Sequence, residues 1–505
     1  MASSSNDGRL LDITLVDISG SEIAKGTWHG TCKAHELFQA AYKSKPGFLC
    51  KMLHGSKELD PQSDLASLGQ KFCHLTVVWM AGAAQKRQSA RHPAFAAVKS
   101  NGSVITWGGA HAGGEHRVQE GVEQVVGNDA AFAAVTSDGS VITWGHASYG
   151  GDSSRVEHRL QEGVVQVVGN SSAFAAVKSD GSVITWGDAA SGGDSSGSEH
   201  RLQEGVLQVV GNNQAFAAVK SDGSVITWGD AASGGDSSRI EHQLQEGVVQ
   251  VVGNNRAFAA VKSDGSVITW GLAASGGDCS RIEHQLQEGV VQVIGSDRAF
   301  ATVKSNGSVV TWGQAAYGGD SDGVEHRLQE GVVQVVGNDR AFAAIKSDGS
   351  VITWGLAASG GDSSRIEHQL HEGVVQVVGS DRAFAAIKSD GSVITWGQAA
   401  YGGDSDGVEH RLQEGVVQVV GNDRAFAAVK SDGSVITWGD ASYGGDNSRV
   451  EHRLQEGVVQ VAGNYWAFAA VKSDGSVITW GDAAYGGDSS GVGNRLQDGV
   501  LVVVS

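Results

Sequence analysis

Three features of the sequence predict a mainly β protein in which a small α+β domain precedes an array of ten short repeats. The tripeptide Thr-Trp-Gly occurs ten times; Trp107 and Trp144, the first two tryptophans of the series, are 37 residues apart, and each later interval is 42. Between the tryptophans, β-branched runs alternate with turn residues. The 505 residues include 73 glycines and only 3 prolines, which suits many tight turns between short strands.

Composition and charge divide the chain into parts of different character. We predict a disordered tail at 1–8, a separate domain at 9–80, a linker at 81–92 and ten repeats of about 42 residues at 93–505. Residues 1–92 contain 11 Lys/Arg and 8 Asp/Glu, whereas the rest of the chain contains 26 and 48. An acidic array repels phosphate groups, so we expect neither nucleic acid nor an anionic membrane as a partner.

The N-terminal domain is predicted from the order of its apolar segments. Residues 11–18 and 22–28 are predicted strands around a Ser-Gly-Ser turn, and 31–43 place four apolar residues along one helical face. Another strand is predicted at 48–53, and apolar residues alternate over 73–79 as they do in a half-buried strand.

This order resembles the ubiquitin-like β-grasp family. Residues 52–60 are similar to the family's third strand and the turn after it, 64–69 to a later turn, and 74–78 to the last strand. The resemblance implies a β-grasp domain. Ubiquitin is conjugated through a terminal Gly-Gly, whereas here Ala-Gly-Ala-Ala follows Met80 and the chain continues, which excludes conjugation. The usual apolar recognition patch is degraded.

The repeat unit is predicted to contain three strands. In one copy, 247–252 is a β-branched run, 257–262 is the second strand, and 267–270 is the third, with alternating Val/Thr and Ile/Trp. Asp264 and Gly265 lie between the last two strands. An Asp-Gly pair in this position predicts a hairpin with a type I′ turn, in which both central residues have positive φ.

A glycine-rich loop and a short helix are predicted to complete the repeat. The loop covers 273–278, and Ser280 is a candidate N-cap for a helix that follows. Ile282 and Leu286 are four residues apart and would share a helical face, and Gly289 is a natural C-terminal stop.

The frame of the repeats predicts a closed array. The first hairpin begins at Ala94 without a preceding β-branched strand, and the last copy ends with an unmatched strand at 499–505. A closed array lets this strand complete the first hairpin and removes two exposed strand edges. The alternative is an open β-solenoid.

The sequence Ala-Phe-Ala-Ala-Val-Lys-Ser-Asp-Gly-Ser-Val-Ile-Thr-Trp-Gly resembles the repeat of the regulator of chromosome condensation family. The resemblance covers 93–505 and implies a β-propeller-like fold. The family's Gly-Gln-Leu-Gly after the tryptophan is absent, and residues 275–278, Ser-Gly-Gly-Asp, take its place. The family's nucleotide-exchange activity on a small GTPase uses an inserted wedge, and no copy here has an insertion.

The residues indicate a protein that is not an enzyme and that has no catalytic residue, bound metal or cofactor. The Ser-Asp-Gly-Ser turns offer one carboxylate each, whereas calcium takes six or more oxygens. The recurring Glu-His pair, for example Glu283 and His284, provides one histidine per copy without a close second ligand. Cys279 replaces a serine found at that place in other copies, and no nucleophile motif or phosphate-binding loop occurs.

Differences between copies predict a partner-binding rim. The last residue of the turn before Ala-Phe and the residue after Trp-Gly both vary, and a three-stranded meander brings both to the same end of the strands. Arginine, tyrosine and tryptophan dominate interface hot spots. The predicted rim residues are Arg256, Arg298, Arg340, Arg382, Arg424, Tyr465 and Trp466. Drift on a tolerant loop is the alternative interpretation.

These observations predict an intracellular adaptor or scaffold whose partners are other proteins. Four scattered cysteines, the absence of an apolar leader and the absence of an 18-residue apolar run indicate a cytoplasmic protein, with the nucleus as the alternative location. Two other functions stay open. The array can be an exchange regulator of a small GTPase, or the chain can be a non-catalytic recruiter in ubiquitin signalling.

Overall fold

A computed structural model describes residues 10–17, 22–29, 37, 49–54, 57–58, 65–68, 72–80, 93–109 and 120–505. The chain forms two compact units, Met1–Arg87 and Gln88–Ser505. The predicted tail at 1–8 and the predicted linker at 81–92 lie outside the described residues. No described helix is long and apolar enough to cross a membrane.

The N-terminal unit contains one mixed five-stranded sheet. Its strands are β1 Leu10–Asp17, β2 Glu22–His29, β3 Leu49–His54, β4 Lys57–Glu58 and β5 Phe72–Met80, and a 3-10 turn covers Leu65–Leu68. The strand order is β2-β1-β5-β3-β4, with β1 and β5 parallel. Of the predicted helix at 31–43, only Leu37 is described; it is helical and fully buried.

The core of this unit lies on one face of the sheet. Alternate residues of β1 and β5 are buried there, as strand geometry dictates. The fully buried side chains include Leu11, Ile13, Leu15, Leu37, Leu75 and Val77.

The second unit consists of ten three-stranded sheets, each with an inner, a middle and an outer strand. The inner strands are β8 Val122–Gly127, β11 Val164–Gly169, β14 Val206–Gly211, β17 Val248–Gly253, β20 Val290–Gly295, β23 Val332–Gly337, β26 Val374–Gly379, β29 Val416–Gly421, β32 Val458–Gly463 and β35 Val500–Val504. The middle strands are β6 Ala94–Lys99, β9 Ala131–Thr136, β12 Ala173–Lys178, β15 Ala215–Lys220, β18 Ala257–Lys262, β21 Ala299–Lys304, β24 Ala341–Lys346, β27 Ala383–Lys388, β30 Ala425–Lys430 and β33 Ala467–Lys472. The outer strands are β7 Val104–Gly108, β10 Val141–Gly145, β13 Val183–Gly187, β16 Val225–Gly229, β19 Val267–Gly271, β22 Val309–Gly313, β25 Val351–Gly355, β28 Val393–Gly397, β31 Val435–Gly439 and β34 Val477–Gly481.

Sheet faces are buried between neighbouring repeats. Phe216 of β15 packs with Ala173 and Ala175 of β12, the middle strand of the preceding sheet. Alanine next to phenylalanine lets the two sheets approach closely, and Phe216 also stacks on Trp228 at 5.4 Å between ring centroids. A single repeat lacks these partners, so the array is stable only as a stack.

The array is closed by its last strand. β35 pairs antiparallel with β6, with Val503 opposite Ala97. The sheet so formed packs on both neighbours, on the β32–β34 sheet through Phe95 and on the β8–β10 sheet through Ala94. The closure predicted from the repeat frame is therefore confirmed, and the mainly β, propeller-like prediction holds.

A recurring tryptophan hydrogen bond links each outer strand to the glycine loop of the preceding repeat. Trp270 Nε1 donates to the carbonyl oxygen of Gly234 at 3.0 Å, and Trp107 of the closing sheet donates to Gly486 at 3.1 Å. Trp144 differs: its Nε1 has no hydrogen-bond partner among the described residues. The loop that precedes it, 110–119, lies outside the described range and contains the five-residue deletion.

The prediction of a short helix at 280–289 is wrong. The segment contains only a 3-10 turn at Glu283–Gln285, and Ser280 does not cap it. Its shape comes from two other contacts. Asp278 accepts a hydrogen bond from the backbone of Ser280 at 2.9 Å, and the carbonyl oxygen of Leu286 accepts one from Val267 at 2.8 Å. The segment must return to the sheet within a few residues, which leaves no room for a second helical turn.

Two 3-10 turns occur in most repeats. Those after the outer strands are Ala147–Tyr149, Ala189–Ser191, Ala231–Ser233, Ala273–Ser275, Ala315–Tyr317, Ala357–Ser359, Ala399–Tyr401, Ala441–Tyr443 and Ala483–Tyr485. Those before the inner strands are Glu157–Arg159, Glu199–Arg201, Ser238–Gln243, Glu283–Gln285, Glu325–Arg327, Ser364–Ile366, Glu409–Arg411, Glu451–Arg453 and Ser490–Arg495.

The Asp-Gly hairpins form as predicted, but their type I′ assignment is wrong. Gly265 has φ +78°, whereas no described non-glycine residue has positive φ, so Asp264 does not. Gly265 N–H donates to Lys262 O at 2.9 Å, which fits a type I turn followed by a glycine bulge. Glycine is required here, because a Cβ on Gly265 would lie 2.6 Å from Gly289 N in the next inner strand.

Candidate protein-interaction surface

The two variable segments of each repeat lie at the same end of the sheet, as predicted. Ala257, which begins a middle strand, is paired with Gly271, which ends the outer strand. Directly beyond this pair, Leu272 N–H donates to the carbonyl oxygen of Arg256 at 2.9 Å. The Asp-Gly turn is at the other end of the same strands. We call the first end the variable rim and the second end the Asp-Gly rim.

Backbone hydrogen bonds hold the turns of the variable rim in a row. Asp297 N–H donates to Asp339 O at 3.2 Å, Asp339 N–H to Asp381 O at 3.3 Å, and Asp381 N–H to Asp423 O at 3.0 Å. Each of these aspartates directly precedes an arginine of the predicted rim. The hydrogen bonds therefore set the spacing between arginines of neighbouring repeats.

Arginines and aromatic rings alternate along part of this rim. We call the following residues the Arg–Tyr ladder: Arg298, Tyr317, Arg340, Arg382, Tyr401, Arg424, Tyr443, Trp466 and Tyr485. The distances from guanidinium carbon to ring centroid are 5.2 Å for Arg298 and for Arg340 on Tyr317, 4.9 Å for Arg382 and for Arg424 on Tyr401, and 4.7 Å for Arg424 on Tyr443. Trp466 meets Tyr443 and Tyr485 edge-to-face, at 6.0 Å and 3.6 Å.

The ladder has two runs, because a serine interrupts it. Ser359 occupies, between Arg340 and Arg382, the place that Tyr317 and Tyr401 take in their own repeats. Tyr317 and Tyr401 each lie between the arginine of their own repeat and that of the next, within cation–π distance of both. The ladder is thus a property of pairs of adjacent repeats.

The structure brings five of the seven predicted rim residues into the ladder. Arg256 is not among them, since Ser233 and Ser275 stand where the flanking tyrosines would be. Tyr465 points elsewhere, and its hydroxyl donates to Asp129 Oδ1 at 3.3 Å. The sequence interpretation missed the tyrosines of the ladder. They could have been found by comparing the copies, because tyrosine takes the place of the serine in the Ala-Ala-Ser-Gly-Gly loop of some repeats.

The ladder is partly open to solvent, and its charges are partly compensated. The Arg424 side chain is 39% exposed and its Nη1 lies 3.8 Å from Asp440 Oδ2. Burial raises the pKa of Tyr443, so its ring stays neutral beside the guanidinium of Arg424. A guanidinium stacked face-on over a ring keeps its N–H edge directed at other acceptors. The ladder can therefore present aromatic surface and hydrogen-bond donors together.

Other candidate sites on the described residues are weaker. No group of three or more histidine, cysteine or carboxylate side chains among them is placed to hold a metal ion. Two equivalent clefts of about 280 Å³ and 320 Å³ each contain two aspartates, Asp320 with Asp322 and Asp404 with Asp406. Asp320 already accepts a hydrogen bond from the backbone of Asp322 at 2.8 Å.

Cys279 is half-buried, and burial raises the pKa of its thiol. The thiolate is the reactive form, so this environment makes the side chain a poor nucleophile at neutral pH.

No family model and no curated protein matches the chain. Similar solved structures include the computationally designed Ika8 protein (16% identity, 66% of this chain and 99% of that chain, TM-score 0.30) and human WBSCR16 (18%, 49% and 80%, 0.31). Prp20p from Saccharomyces cerevisiae, the yeast RCC1, is another (16%, 51% and 77%, 0.30). These likenesses are distant, and the architecture of the repeats rests on the strand pairing described above.

Proposed function

We propose that the protein is a non-enzymatic intracellular adaptor whose repeat unit binds other proteins through the Arg–Tyr ladder. The observation that supports this proposal is the concentration of arginine, tyrosine and tryptophan along one rim of repeats that are otherwise nearly identical. These three residue types dominate the energetics of protein interfaces. Cytoplasm is the proposed location, with the nucleus as the alternative.

The chemistry of the ladder suits an acidic segment of a partner protein. The repeats carry a large excess of acidic residues, so most of their surface repels such a segment. The ladder is a local exception, in which four guanidinium groups lie within cation–π distance of tyrosine rings and offset the aspartates that directly precede them. A carboxylate that approaches the rim finds planar donors with bidentate geometry.

Substitution of arginines within the ladder tests this proposal. Arg298, Arg382 and Arg424 are changed to lysine in the full chain, which keeps the charge but removes the planar stacking surface. Chemical crosslinking in cells followed by quantitative mass spectrometry compares the proteins bound by this variant and by the original chain. We expect the crosslinked partners to be lost from the variant.

A matched control uses arginines at the Glu-His segments. Arg159, Arg201 and Arg411 form exposed ion pairs with glutamates of the next repeat at 3.0–3.3 Å. Their change to lysine should leave the set of partners intact. An unchanged set in the ladder variant, or an equal loss in the control, would contradict the proposal.

A role in ubiquitin signalling is a second candidate, because the N-terminal sheet has the order β2-β1-β5-β3-β4. We propose on this basis that the N-terminal unit is ubiquitin-like and recruits components of that pathway. Binding of full chain to immobilised ubiquitin receptors, compared with a chain that begins at Gln88, tests the idea. Equal binding by the two chains would rule it out.

Exchange on a small GTPase is the weaker alternative. Prp20p has been characterised for its binding properties to Gsp1p and histones, but the likeness to it carries no argument here. The eight intervals of 42 residues leave no place for an inserted wedge in those repeats. Nucleotide release from a panel of small GTPases, with and without the full chain, tests this alternative.

A further inference from the structure

An exposed aliphatic side chain recurs at the start of the inner strands. In β11, Val164 and Val167 are buried, whereas Val165 is 61% exposed. Val164 pairs with Lys178 and Gln166 pairs with Val177, so Val165 is the extra residue of a β-bulge. Its side chain is therefore exposed to solvent instead of packing in the core. We call the set of these residues the apolar collar: Val165, Leu207, Val249, Val291, Val333, Val375, Val417, Val459 and Leu501.

The collar residues occupy equivalent positions on successive inner strands of the closed array. Neighbouring inner strands are in direct contact: Gln124 of β8 donates through Nε2 to Val167 O of β11, and Gln460 of β32 donates in the same way to Val503 O of β35. Equivalent positions of a closed series of strands form a ring. In β8 the position holds Glu123, which is also exposed, so the ring contains nine aliphatic side chains and one carboxylate.

Carboxylates surround the collar at the Asp-Gly rim. An exposed acidic residue stands two positions before each inner strand, directly before a glycine: Glu120, Glu162, Glu204, Glu246, Glu288, Glu330, Glu372, Glu414, Glu456 and Asp498. Eight of the Asp-Gly turns add an aspartate. Hydrogen bonds from serine lower the pKa of these turn aspartates, for example Asp264 beside Ser266, so they are charged at neutral pH.

The charge of this rim is strongly negative. Nine lysines end the middle strands there, against eighteen carboxylates in the two sets. Some lysines are already engaged, since Lys178 Nζ donates to Arg159 O at 3.5 Å and Lys304 Nζ to Gln285 O at 3.1 Å. A recurring set of exposed apolar side chains framed by charged residues is typical of an interaction site, and the negative frame here selects a cationic partner.

We propose that the apolar collar and its carboxylates bind a basic amphipathic segment of a partner protein. Aliphatic side chains of the segment pack on the collar, and its lysines and arginines pair with the surrounding glutamates. This surface is separate from the Arg–Tyr ladder, which lies at the variable rim and favours acidic segments. The variable rim thus favours acidic partner segments, and the Asp-Gly rim favours basic ones.

Fluorescence anisotropy with the full chain tests this inference. The probe is a fluorescein-labelled 18-residue peptide of leucine and lysine with helical amphipathic spacing. One matched peptide has serine in place of leucine, and another has glutamate in place of lysine. We expect the leucine–lysine peptide to bind, the serine peptide to bind at least tenfold more weakly, and the glutamate peptide not to bind.

Two variants locate the binding to the collar. Val249, Val333 and Val417 are changed to threonine, which keeps the β-branched shape at exposed positions and should leave the thermal midpoint unchanged. Glu246, Glu330 and Glu414 are changed to glutamine. Each variant should bind the leucine–lysine peptide at least tenfold more weakly, whereas the ladder variant with Arg298, Arg382 and Arg424 changed to lysine should bind it as the original chain does.

Three results would overturn the inference. Equal affinity of the threonine variant would exclude the collar, and equal affinity of the serine peptide would reduce the binding to charge alone. If light scattering showed that the original chain self-associates and the threonine variant does not, the collar would be covered by a second copy of the chain. The ladder proposal survives all three results, because it concerns the other rim.

Discussion

Nine of the ten sheets in the second unit are each built from one continuous stretch of chain. The tenth, the closing sheet, is built from the two ends of that unit. In the continuous sheets a turn joins the inner to the middle strand. In the closing sheet, β35 ends at Val504 and β6 begins at Ala94 without a covalent link. The pairing is nevertheless the same, including the bulge after the first residue of the inner strand. Side-chain packing therefore determines the register, and the turn is dispensable for it.

A contact between the two flanking repeats spans the closing sheet, which lacks the turn. In seven of the nine continuous sheets a buried asparagine links this turn to the loop after the outer strand, and in the other two Ser296 and Ser380 do so. Asn170 Nδ2, for example, donates to Ser191 O at 2.6 Å and its Oδ1 accepts from Ala173 N at 2.8 Å. The closing sheet has no such asparagine. Tyr465 of the preceding repeat instead reaches Asp129 of the following one, 336 residues earlier in the chain.

The largest expected effect comes from a charge in the closing strand. Val503 is 1% exposed, and Val503→Asp would bury an unpaired carboxylate. We expect a loss of about 3–5 kcal/mol in the free energy of unfolding. Because no turn holds β35 in place, the strand should also detach locally, and hydrogen exchange should accelerate in Ala94–Lys99.

Two variants control this experiment. Leu501→Asp alters the same strand at a position that is 65% exposed and should leave the stability nearly unchanged. Val251→Asp places the charge in a continuous sheet, where a turn prevents release of the strand. If Val503→Asp and Leu501→Asp unfolded at the same denaturant concentration, β35 would not be part of the closing sheet in solution.

A pH-dependent effect is expected next, at the contact between Tyr465 and Asp129. Burial raises the pKa of Asp129 to about 6 from the usual 3.8, although the hydrogen bond from Tyr465 acts in the opposite direction. The folded state therefore holds a proton that the unfolded state has lost, and stability should fall as the pH rises from about 4 to about 6. Two units of pKa correspond to at most about 3 kcal/mol.

Asp129→Asn removes this dependence. Asn213 and Asn255 occupy the same turn position in their own repeats, so the substitution suits the backbone. We expect the variant to be more stable than the original chain at pH 7.5 and equally stable at pH 3.5, as measured by urea unfolding. A constant difference between the two chains across this range would show that the pKa of Asp129 is the same in the folded and unfolded states.

The tryptophan hydrogen bond allows a smaller test of the same comparison. Trp107→Phe removes the bond from the closing sheet to Gly486 O, and Trp270→Phe removes its counterpart in a continuous sheet. Each should cost about 1–2 kcal/mol, since the ring contact with the neighbouring phenylalanine is largely kept. Trp144→Phe is the control: its Nε1 has no partner among the described residues, so its cost should be smaller. Thermal unfolding measures all three.

The strands of the repeats could be predicted from the sequence because their signals are local. The inner and outer strands are rich in β-branched residues, and glycine ends all of them except β35, whereas each middle strand runs into an Asp-Gly or Asn-Gly turn. The 3-10 turn in place of the predicted helix could not be foreseen. Leu286 and Asp278 make hydrogen bonds with the sheet and the adjacent turn, and the helical spacing of a few apolar residues gives no sign of these bonds. The type I′ turn failed for a related reason: Asp-Gly also fits a type I turn with a glycine bulge.

The variable rim was predicted from differences between copies, but the ladder was not. Its spacing depends on contacts between repeats, where one tyrosine meets the arginines of two successive turns. A single repeat contains an arginine or a tyrosine without any sign that they meet. The exposure of Val165 could not be predicted either, because the position of a bulge within a run of apolar residues cannot be recognised from the sequence.

The smallest effect is expected at Cys279, and it measures what one hydrogen bond contributes to a continuous sheet. In neighbouring repeats a buried threonine donates to a serine hydroxyl, as Thr227 does to Ser237 at 2.9 Å. Cys279 replaces that serine, so the buried Thr269 Oγ1 has only the thiol beside it, which is a weak hydrogen-bond partner. Cys279→Ser restores the acceptor and should raise the free energy of unfolding by about 0.5–1.5 kcal/mol. Ser237→Cys should lower the free energy of unfolding by a similar amount. A neutral result for both variants would mean that the hydrogen bond between threonine and serine contributes nothing net to stability. The destabilisation measured for Trp107→Phe would then be attributed to packing and not to its hydrogen bond.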